Sequence, residues 1–560
     1  MIKKKEHFSN HHILAKNLNL CRSGKELIAN ALFVINPGDK AVLIGRNGGG
    51  KTTLLQVIIA KAQGKSPPDG VEMSGTLEIG QKVRIGYLPQ EIRIHFDGKL
   101  TDYLDACAGE IARVNKEYEE LVNMLSQGES PESLERFGLA TERMNNLQCW
   151  NYPQIKEGLI RDLDLPTSYL ERYVSEISGG ERNKIAIAGV LISNPNFLVL
   201  DEPTNNLDNK AIEALIKWLK SNKRLSALIV SHNRSFIDEI ADLILDIDEH
   251  DKSIHTFTGN YSSYSRRKKE LVEAQERAYK EQQRRRKELQ ESAKTLKEKS
   301  QEFETTSTNA HYRARGAKLA QRAKTQLKRI EEELSSIEEP KPPRRPAFIV
   351  TGSQEKDKSL ALSLNSISFS YQNGKEVFSN LSLQLKGGER MAIVGENGAG
   401  KTTLIKIITG NLTPITGQMF VTDKISYLPQ DPAEIDLSQN VTDFFRQHVQ
   451  ISEEEARQIL GKVLFEDVSR KTLGDLSIGS IRRVQIATLF ARDPKLLVLD
   501  EPTNHLDIKT IEMLEEALQN FSGALIVVSH DEFFLRNVKP DKYLIFDKFQ
   551  NPRLETSTTI

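Results

Sequence analysis

Apolar residues along the chain fall into two registers. Short continuous runs at 41–44, 197–200, 391–394 and 496–499 have the length and make-up of apolar strands. Elsewhere the apolar positions step by three and four. Leu100, Leu104, Cys107, Ile111, Val114, Tyr118, Leu121 and Leu125 form one such seam, which predicts an amphipathic helix. Ser130 and Pro131 then supply an N-cap and a first-turn proline for a second helix carrying Leu134, Phe137, Met144 and Leu147. Further on, Ala323, Leu327, Ile330, Leu334 and Ile337 follow Ala320 in heptad steps, and upstream Leu289, Leu296 and Phe303 repeat every seven residues. Two helices around a polar turn near 304–312 can bury these seams only on each other, so an antiparallel hairpin is expected. Pro340, Pro342, Pro343 and Pro346 stop it. Its first helix, from about 263 to 302, would span ~60 Å.

The chain repeats one ordered set of motifs. GRNGGGKTT (45–53) recurs as GENGAGKTT (395–403), YLPQ (87–90) as YLPQ (427–430), and ISGGE (177–181) as the altered LSIGS (476–480). FLVLDEPTNNLD (197–208) recurs as LLVLDEPTNHLD (496–507), and IVSH (229–232) as VVSH (527–530). Five motifs in the same order, twice, mark a duplication. The offset between copies is 350 from Lys51 to Lys401, 340 from Gln90 to Gln430 and 299 from Ser178 to Ser477. The first copy therefore carries 10 extra residues before Gln90 and 41 more before Ser178. The longer excess coincides with the seams over 100–147, which favours a protruding helical arm over added local core. The expected division is a first α/β copy over 11–260 with its arm at about 95–150, a helical hairpin over 261–345, and a second copy over 360–550.

Composition adds constraints. A chain of 560 residues and 63.2 kDa excludes one small core, and 77 Lys plus Arg against 77 Asp plus Glu exclude a uniformly basic nucleic-acid binder. Charge is local instead: residues 261–330 hold 20 Lys plus Arg against 9 Asp plus Glu. Between Thr305 and Ile330 no acidic residue occurs, while Arg313, Arg315, Lys318, Arg322, Lys324, Lys328 and Arg329 do. A charge run is ordinarily a solvated face, but a one-signed tract near a hairpin turn favours contacts to an RNA backbone. No stretch approaches the ~18 apolar residues of a membrane span, and the start lacks the apolar core of a signal peptide. A cytoplasmic chain without membrane insertion is expected. Cys21, Cys107 and Cys149 form neither a disulfide framework nor an iron–sulfur set, and read as buried or incidental thiols.

The motifs carry chemistry. In each copy a strand runs into Gly-x-x-x-x-Gly-Lys-Thr and then an apolar helix, the context of a phosphate-binding loop. Gly45, Arg46, Asn47, Gly48, Gly49, Gly50, Lys51, Thr52 and Thr53 make up the first loop. Gly395, Glu396, Asn397, Gly398, Ala399, Gly400, Lys401, Thr402 and Thr403 make up the second. Backbone N–H groups close around phosphates, Lys51 or Lys401 reaches the terminal ones, and Thr52 or Thr402 suits Mg²⁺. A second apolar strand in each copy delivers Asp201 and Asp500 to the metal, with Glu202 and Glu501 placed to polarise an attacking water. Gln90 and Gln430 are candidates to touch Mg²⁺ and that water, and His232 and His530 the γ-phosphate.

This order of motifs resembles the ATP-binding cassette family. The resemblance implies ATP and Mg²⁺ as ligands, ATPase activity, and two cassettes closing head to tail within one chain, hence a monomer. It pairs Lys51, Glu202 and His232 with Ser477 and Gly479, and Lys401, Glu501 and His530 with Ser178, Gly179 and Gly180. Within the family, the paired LDEPTNNLD and LDEPTNHLD, GNYSSY (259–264) ahead of a charged linker, and an arm in the first cassette resemble the F subfamily. Its members are ribosome-associated translation factors or antibiotic-resistance factors, which implies a ribosomal partner, ribosomal RNA and tRNA, met through the linker and arm. An ATPase subunit of a membrane transporter and a DNA-associated cassette ATPase are the alternatives. Two departures fall in the first composite site. Tyr371 stands where the family stacks an aromatic on adenine, but the equivalent residue of the first copy is Cys21; and Ile478 and Ser480 replace a glycine and an acidic or amide residue in the second signature. Weaker ATP binding or turnover is expected there.

Overall fold

The structure is a computed structural model. It describes residues 11–560 except 93, 129, 148, 164, 178, 206, 208, 250, 306–317, 319–320, 331, 333–347, 349–357, 372–375, 396–397, 431–435, 465–467, 469, 505, 548–550 and 557–560. The chain divides into two compact units, one made of Met1–Tyr261 with Pro346–Ile560 and the other of Ser262–Arg345.

In the first unit each copy builds a six-stranded sheet. The order in the first copy is Ile85–Leu88, Phe197–Asp201, Ser226–Val230, Lys40–Ile44, Leu243–Ile247 and Ile254–Thr258, parallel except for the last pairing. Its counterpart runs Ile425–Leu428, Leu496–Asp500, Ala524–Val528, Arg390–Gly395, Lys542–Phe546 and Arg553–Thr556. Every residue of Phe197–Asp201, Ser226–Val230 and Lys40–Ile44 is buried, because both faces of the parallel sheet are covered, one of them by the helix Lys51–Ala62 together with antiparallel strands such as Ile13–Arg22. That is why these strands read as unbroken apolar runs. The register pairs Leu43 with Val230 and Asp201 with Val230, so three strands end level at one carboxyl edge. Ligands of parallel α/β sheets bind at such an edge.

Each copy also carries a three-stranded antiparallel sheet that the sequence patterns did not single out. In the first copy Ile13–Arg22 lies between Lys25–Ile35 and Val71–Ile79; in the second, Leu360–Ser370 lies between Glu376–Lys386 and Thr416–Val421. Both are tied into the core of their copy through residues such as Leu18, Phe33, Leu364 and Phe378.

The helical insertion departs from expectation in one respect. The seam from Leu100 to Leu125 is two helices, Leu100–Ala108 and Glu110–Gln127, broken at Gly109, whose φ of 60° and ψ of −112° lie outside helical space. Leu100 and Leu104 are buried in the body of the copy, whereas Val114 and Leu121 bury against Pro131–Leu147 through Ala140 and Met144. Pro131 opens that helix, and the Ser130 hydroxyl accepts from the Ser133 amide at 3.2 Å. A further helix, Tyr152–Asp162, returns the chain.

Taken by itself, the second unit continues the 45-residue helix Tyr261–Thr305, about 67 Å long. Residues 321–330 are helical too, with Ala323 buried and Leu327 and Ile330 half-buried, so the seam positions are the sheltered ones. Lys318, Arg322, Lys324, Lys328 and Arg329 are exposed. Arg313, Arg315, the proposed turn at 304–312 beyond Thr305, and the four prolines lie outside the described residues.

Candidate nucleotide site

The two glycine-rich loops open onto one cavity of about 1700 Å³ between the copies. Lys51 begins the helix Lys51–Ala62 and is buried; its ammonium donates to the Gly45 and Arg46 carbonyls at 2.8 and 3.1 Å. Lys401 occupies the matching place at the start of Lys401–Ile408 and lies 3.3 Å from His530 Nε2. Burial lowers the Lys51 pKa, against the pull of Glu202, Asp507 and Asp201. The cavity wall includes Thr52, Gln90, Asp201, Glu202 and His232 from the first copy, and Thr402, Gln430, Asp500, Glu501 and His530 from the second.

Glu202 and Glu501 adopt φ values of 52° and 45°, a left-handed backbone that a glutamate rarely takes. Their amides donate to the Val230 and Val528 carbonyls at 2.8 and 2.9 Å, which turns each carboxylate from the strand end into the cavity. His232 Nε2 stands 3.2 Å from Glu202 Oε1, poorly aligned for a hydrogen bond, while the His232 amide donates to Glu202 Oε2 at 3.2 Å. In the second copy the His530 to Glu501 distance is 3.5 Å. Burial pushes Glu202 up to about 7 and Glu501 up to about 8, with Lys51 and Lys401 opposing. Burial and the Lys51 charge bring His232 down to about 3, so it is neutral. Asp201 is raised by burial although the Thr52 hydroxyl donates to it, and its Oδ2 is buried without a hydrogen-bond partner among the described residues. A carboxylate oxygen left bare beside a hydroxyl suits a hard divalent cation.

Contacts between copies cluster on the first composite site. The Asn47 amide donates to Asp507 Oδ2 at 3.1 Å, and Gly479 approaches so closely that an added Cβ would lie 2.5 Å from Asn47 Nδ2. Ser477 caps the helix Ile478–Ala491 by accepting from the Ser480 amide at 3.2 Å, and Ile478 stands 63% exposed at the cavity wall. The structure thus brings Ser477 and Gly479 to the Lys51 loop. For the other composite site, Gly179 and Gly180 open the helix Gly179–Ile192, whereas Ser178, Glu396 and Asn397 lie outside the described residues.

A second interface feature was not read from the motifs. Arg234 of the first copy forks onto Glu515 of the second, Nη1 to Oε2 at 3.2 Å and Nη2 to Oε1, and Nη2 also lies 3.4 Å from Asp531 Oδ2. Side-chain exposure is 3% for Arg234 and 7% for each acid. The copy-equivalents of Glu515 and Arg234 are Ile216 and Glu532, so this bridge occurs once. Glu249 adds a second link, accepting from Arg46 of its own copy at 2.7 Å and from Lys509 of the other at 3.1 Å.

Paired glycine-rich loops, each backed by an Asp-Glu strand end and a histidine at one sheet edge, define a tandem nucleotide-binding ATPase. A profile described as ABC transporter matches residues 28–205 and 378–504, and a second profile of the same description matches 247–348. The chain belongs to the ATP-binding cassette family, in its F branch, and is an ATPase. It is 31% identical over 551 residues to the probable ATP-binding protein YheS of Escherichia coli K12, covering 96% of this chain and 79% of that protein. The tylosin resistance ATP-binding protein TlrC of Streptomyces fradiae is 29% identical, covering 90% of this chain and 92% of that protein. ABC transporter F family member 2 of Arabidopsis thaliana is 28% identical, covering 93% and 75%. Among solved structures, the archaeal ribosome recycling factor aABCE1 in complex with the stalk protein aP1 shares the fold, with a TM-score of 0.56 at 18% identity over 94% of this chain and 87% of that one. Among the described residues no helix is long and apolar enough to cross a membrane.

Proposed function

We propose that this ATPase binds ribosomes, docking through its helical insertion and arm and released by hydrolysis. In this reading one cassette spans 11–260, the insertion 261–345 and the other cassette 360–550. The observation that carries the reading is the one-signed basic tract, whose described members Lys318, Arg322, Lys324, Lys328 and Arg329 all stand exposed on the side of the helix away from Ala323, Leu327 and Ile330. Such a row suits a phosphate backbone. The tylosin resistance role of TlrC and the ribosome recycling role of aABCE1 support it, the first adding drug protection as a specific form.

In each cassette the loop amides and Lys51 or Lys401 hold the ATP phosphates. Thr52, Asp201 and Gln90, with Thr402, Asp500 and Gln430, would hold Mg²⁺, which when bound neutralises charge building on the transferred phosphoryl group. Glu202 and Glu501 accept the proton of the attacking water, a task suited to carboxylates whose pKa lies near neutrality. Neutral His232 orients the γ-phosphate in the first cassette, and His530 does so in the second. ATP completes the contact that Gly479 and Asn47 already begin, and hydrolysis withdraws it, so the two states differ in affinity for the ribosome. Co-sedimentation of the full chain with ribosomes, with and without ATP, tests this. ATP-dependent pelleting that salt weakens is expected, and equal recovery in the supernatant under all conditions would overturn it.

A further inference from the structure

The first composite site lacks a stacking aromatic in sequence, since Cys21 stands where Tyr371 does in the second. Three positions of the base wall keep the 350-residue offset: Leu27 with Val377, Gly50 with Gly400, and Thr53 with Thr403. All six line the cavity, and Leu27 packs on Gly50 as Val377 packs on Gly400. The two walls match at these three positions, although the second also takes in Glu376, Phe378 and Ser379, whose counterparts Glu26, Ile28 and Ala29 do not reach the cavity. In the second copy Tyr371 is the residue that faces the base, with its hydroxyl 2.9 Å from Thr403 Oγ1. In the first copy Cys21 pairs within the sheet, opposite Glu26 on one side and Glu72 on the other, and is not part of the wall.

Arg22 takes its place. It is the last residue of Ile13–Arg22, paired with Lys25 across a tight turn in which Ser23 and Gly24 have φ of 51° and 75°. It lines the cavity beside Leu27, and among the described residues its guanidinium makes no hydrogen bond or ion pair. The residue directly opposite is a lysine of like charge, so the hairpin itself gives the guanidinium no partner. A planar, delocalised cation stacks on an aromatic face as a tyrosine ring does, with added attraction to the π electrons.

We propose that Arg22 holds the purine base of the nucleotide in the first composite site by stacking on it, replacing the aromatic that Tyr371 supplies in the second. This rests on the first cassette binding ATP. The weaker binding expected from Cys21 alone is then offset, and base recognition in the two sites differs in kind.

The test is calorimetric titration of the full chain with MgATP, in a background of Glu202→Gln with Glu501→Gln to prevent turnover. Photolabelling with 8-azido-ATP and peptide mapping identify the occupied cassettes. Arg22→Ala should weaken one of two ATP sites by about 5- to 30-fold, the span from an exposed to a desolvated cation–π contact, and reduce the label on the first cassette at sub-saturating probe. Arg22→Tyr should restore both; Arg22→Lys, which keeps the charge and loses the plane, should not. Because Arg22 is exposed, unfolding temperatures without nucleotide should match the parent. Two sites left unchanged by Arg22→Ala overturn the assignment, as does full affinity in Arg22→Lys. One ATP per parent chain, with label in the second cassette alone, would instead refute ATP binding by the first and the assignment with it.

Discussion

Removing Arg234 should separate the cassettes more than removing any other single interface residue. Arg234→Met keeps the apolar stem over Phe533, whose ring centre lies 5.8 Å from the guanidinium carbon, and deletes only the charge. Glu515 and Asp531 are then left at 7% side-chain exposure without their cation. Breaking one side of a buried ion pair costs about 3–5 kcal/mol, because the remaining charge is stranded in a poor solvent. Double replacement, Arg234→Met with Glu515→Leu, should recover most of that loss, since it removes the stranded carboxylate; Asp531 keeps its hydrogen bond from the Phe534 amide at 2.9 Å. The loss should also depend on pH. Burial already raises Glu515 above the ordinary 4.5 although Arg234 and Asn537 oppose it, and without Arg234 it rises further. The folded form then holds a proton that the unfolded form gives up, so the deficit is small below about pH 4.5 and grows as pH rises through the raised value. Urea unfolding of parent, single and double variants at several pH values reads all of this. A deficit under about 1 kcal/mol, or one that the double variant does not relieve, would refute the stranded-charge account.

Glu202→Gln with Glu501→Gln should leave ATP binding intact and abolish steady-state phosphate release, with the chain retained on ribosomes in pull-downs; unchanged turnover would remove both glutamates from the chemistry. Single-turnover hydrolysis at saturating MgATP should increase with pH through about 7 to about 8, because Glu202 and Glu501 accept protons only when ionised, and a flat profile across that interval would contradict the base role. Replacing Arg313, Arg315, Lys318 and Arg322 with Ala should spare basal ATPase and helix content, yet weaken ribosome sedimentation and flatten its log–log salt dependence by about 0.7–0.9 per lost phosphate contact. Parent-like binding and slope would make these four residues a solvated face.

What could be read in advance follows from which forces act locally. The buried parallel strands were legible because burial on both faces forces continuous apolar runs, and the loops and strand ends because phosphate and metal chemistry restricts residue type at fixed spacing. The copy-to-copy offsets point to extra residues in the first copy between Gln90 and Ser178, where the helices Glu110–Gln127 and Pro131–Leu147 lie. Gly109 was missed because Cys107 and Ile111 keep the four-residue step across it, so periodicity continues where the backbone does not. The antiparallel sheets were missed because strands such as Ile13–Arg22 carry register shifts that spoil a strict alternation. Arg234 with Glu515, 281 residues apart, belongs to no motif, and only the tertiary fold joins them. Arg22 escaped for a subtler reason: alignment points to Cys21, and the tight hairpin hands the cavity wall to the next residue.

Asp507 is held by two masters. Its Oδ1 accepts from the Thr510 amide at 2.9 Å and the Thr510 hydroxyl at 2.6 Å, which fixes the carboxylate to the start of Ile508–Gln519. Its Oδ2 accepts from Asn47 in the facing cassette. Burial would raise its pKa, but Thr510, Arg483 and the Asn47 amide bring it down to about 2, so it stays anionic at any physiological pH. A carboxylate anchored that firmly cannot follow its partner, so the Asn47 bond works as a ruler with a tolerance of a few tenths of an ångström. Whatever occupies the first loop must either keep that spacing or break the bond. By reciprocity, the state of the cassette gap then sets the affinity of the loop by the same factor with which the loop's ligand sets the gap.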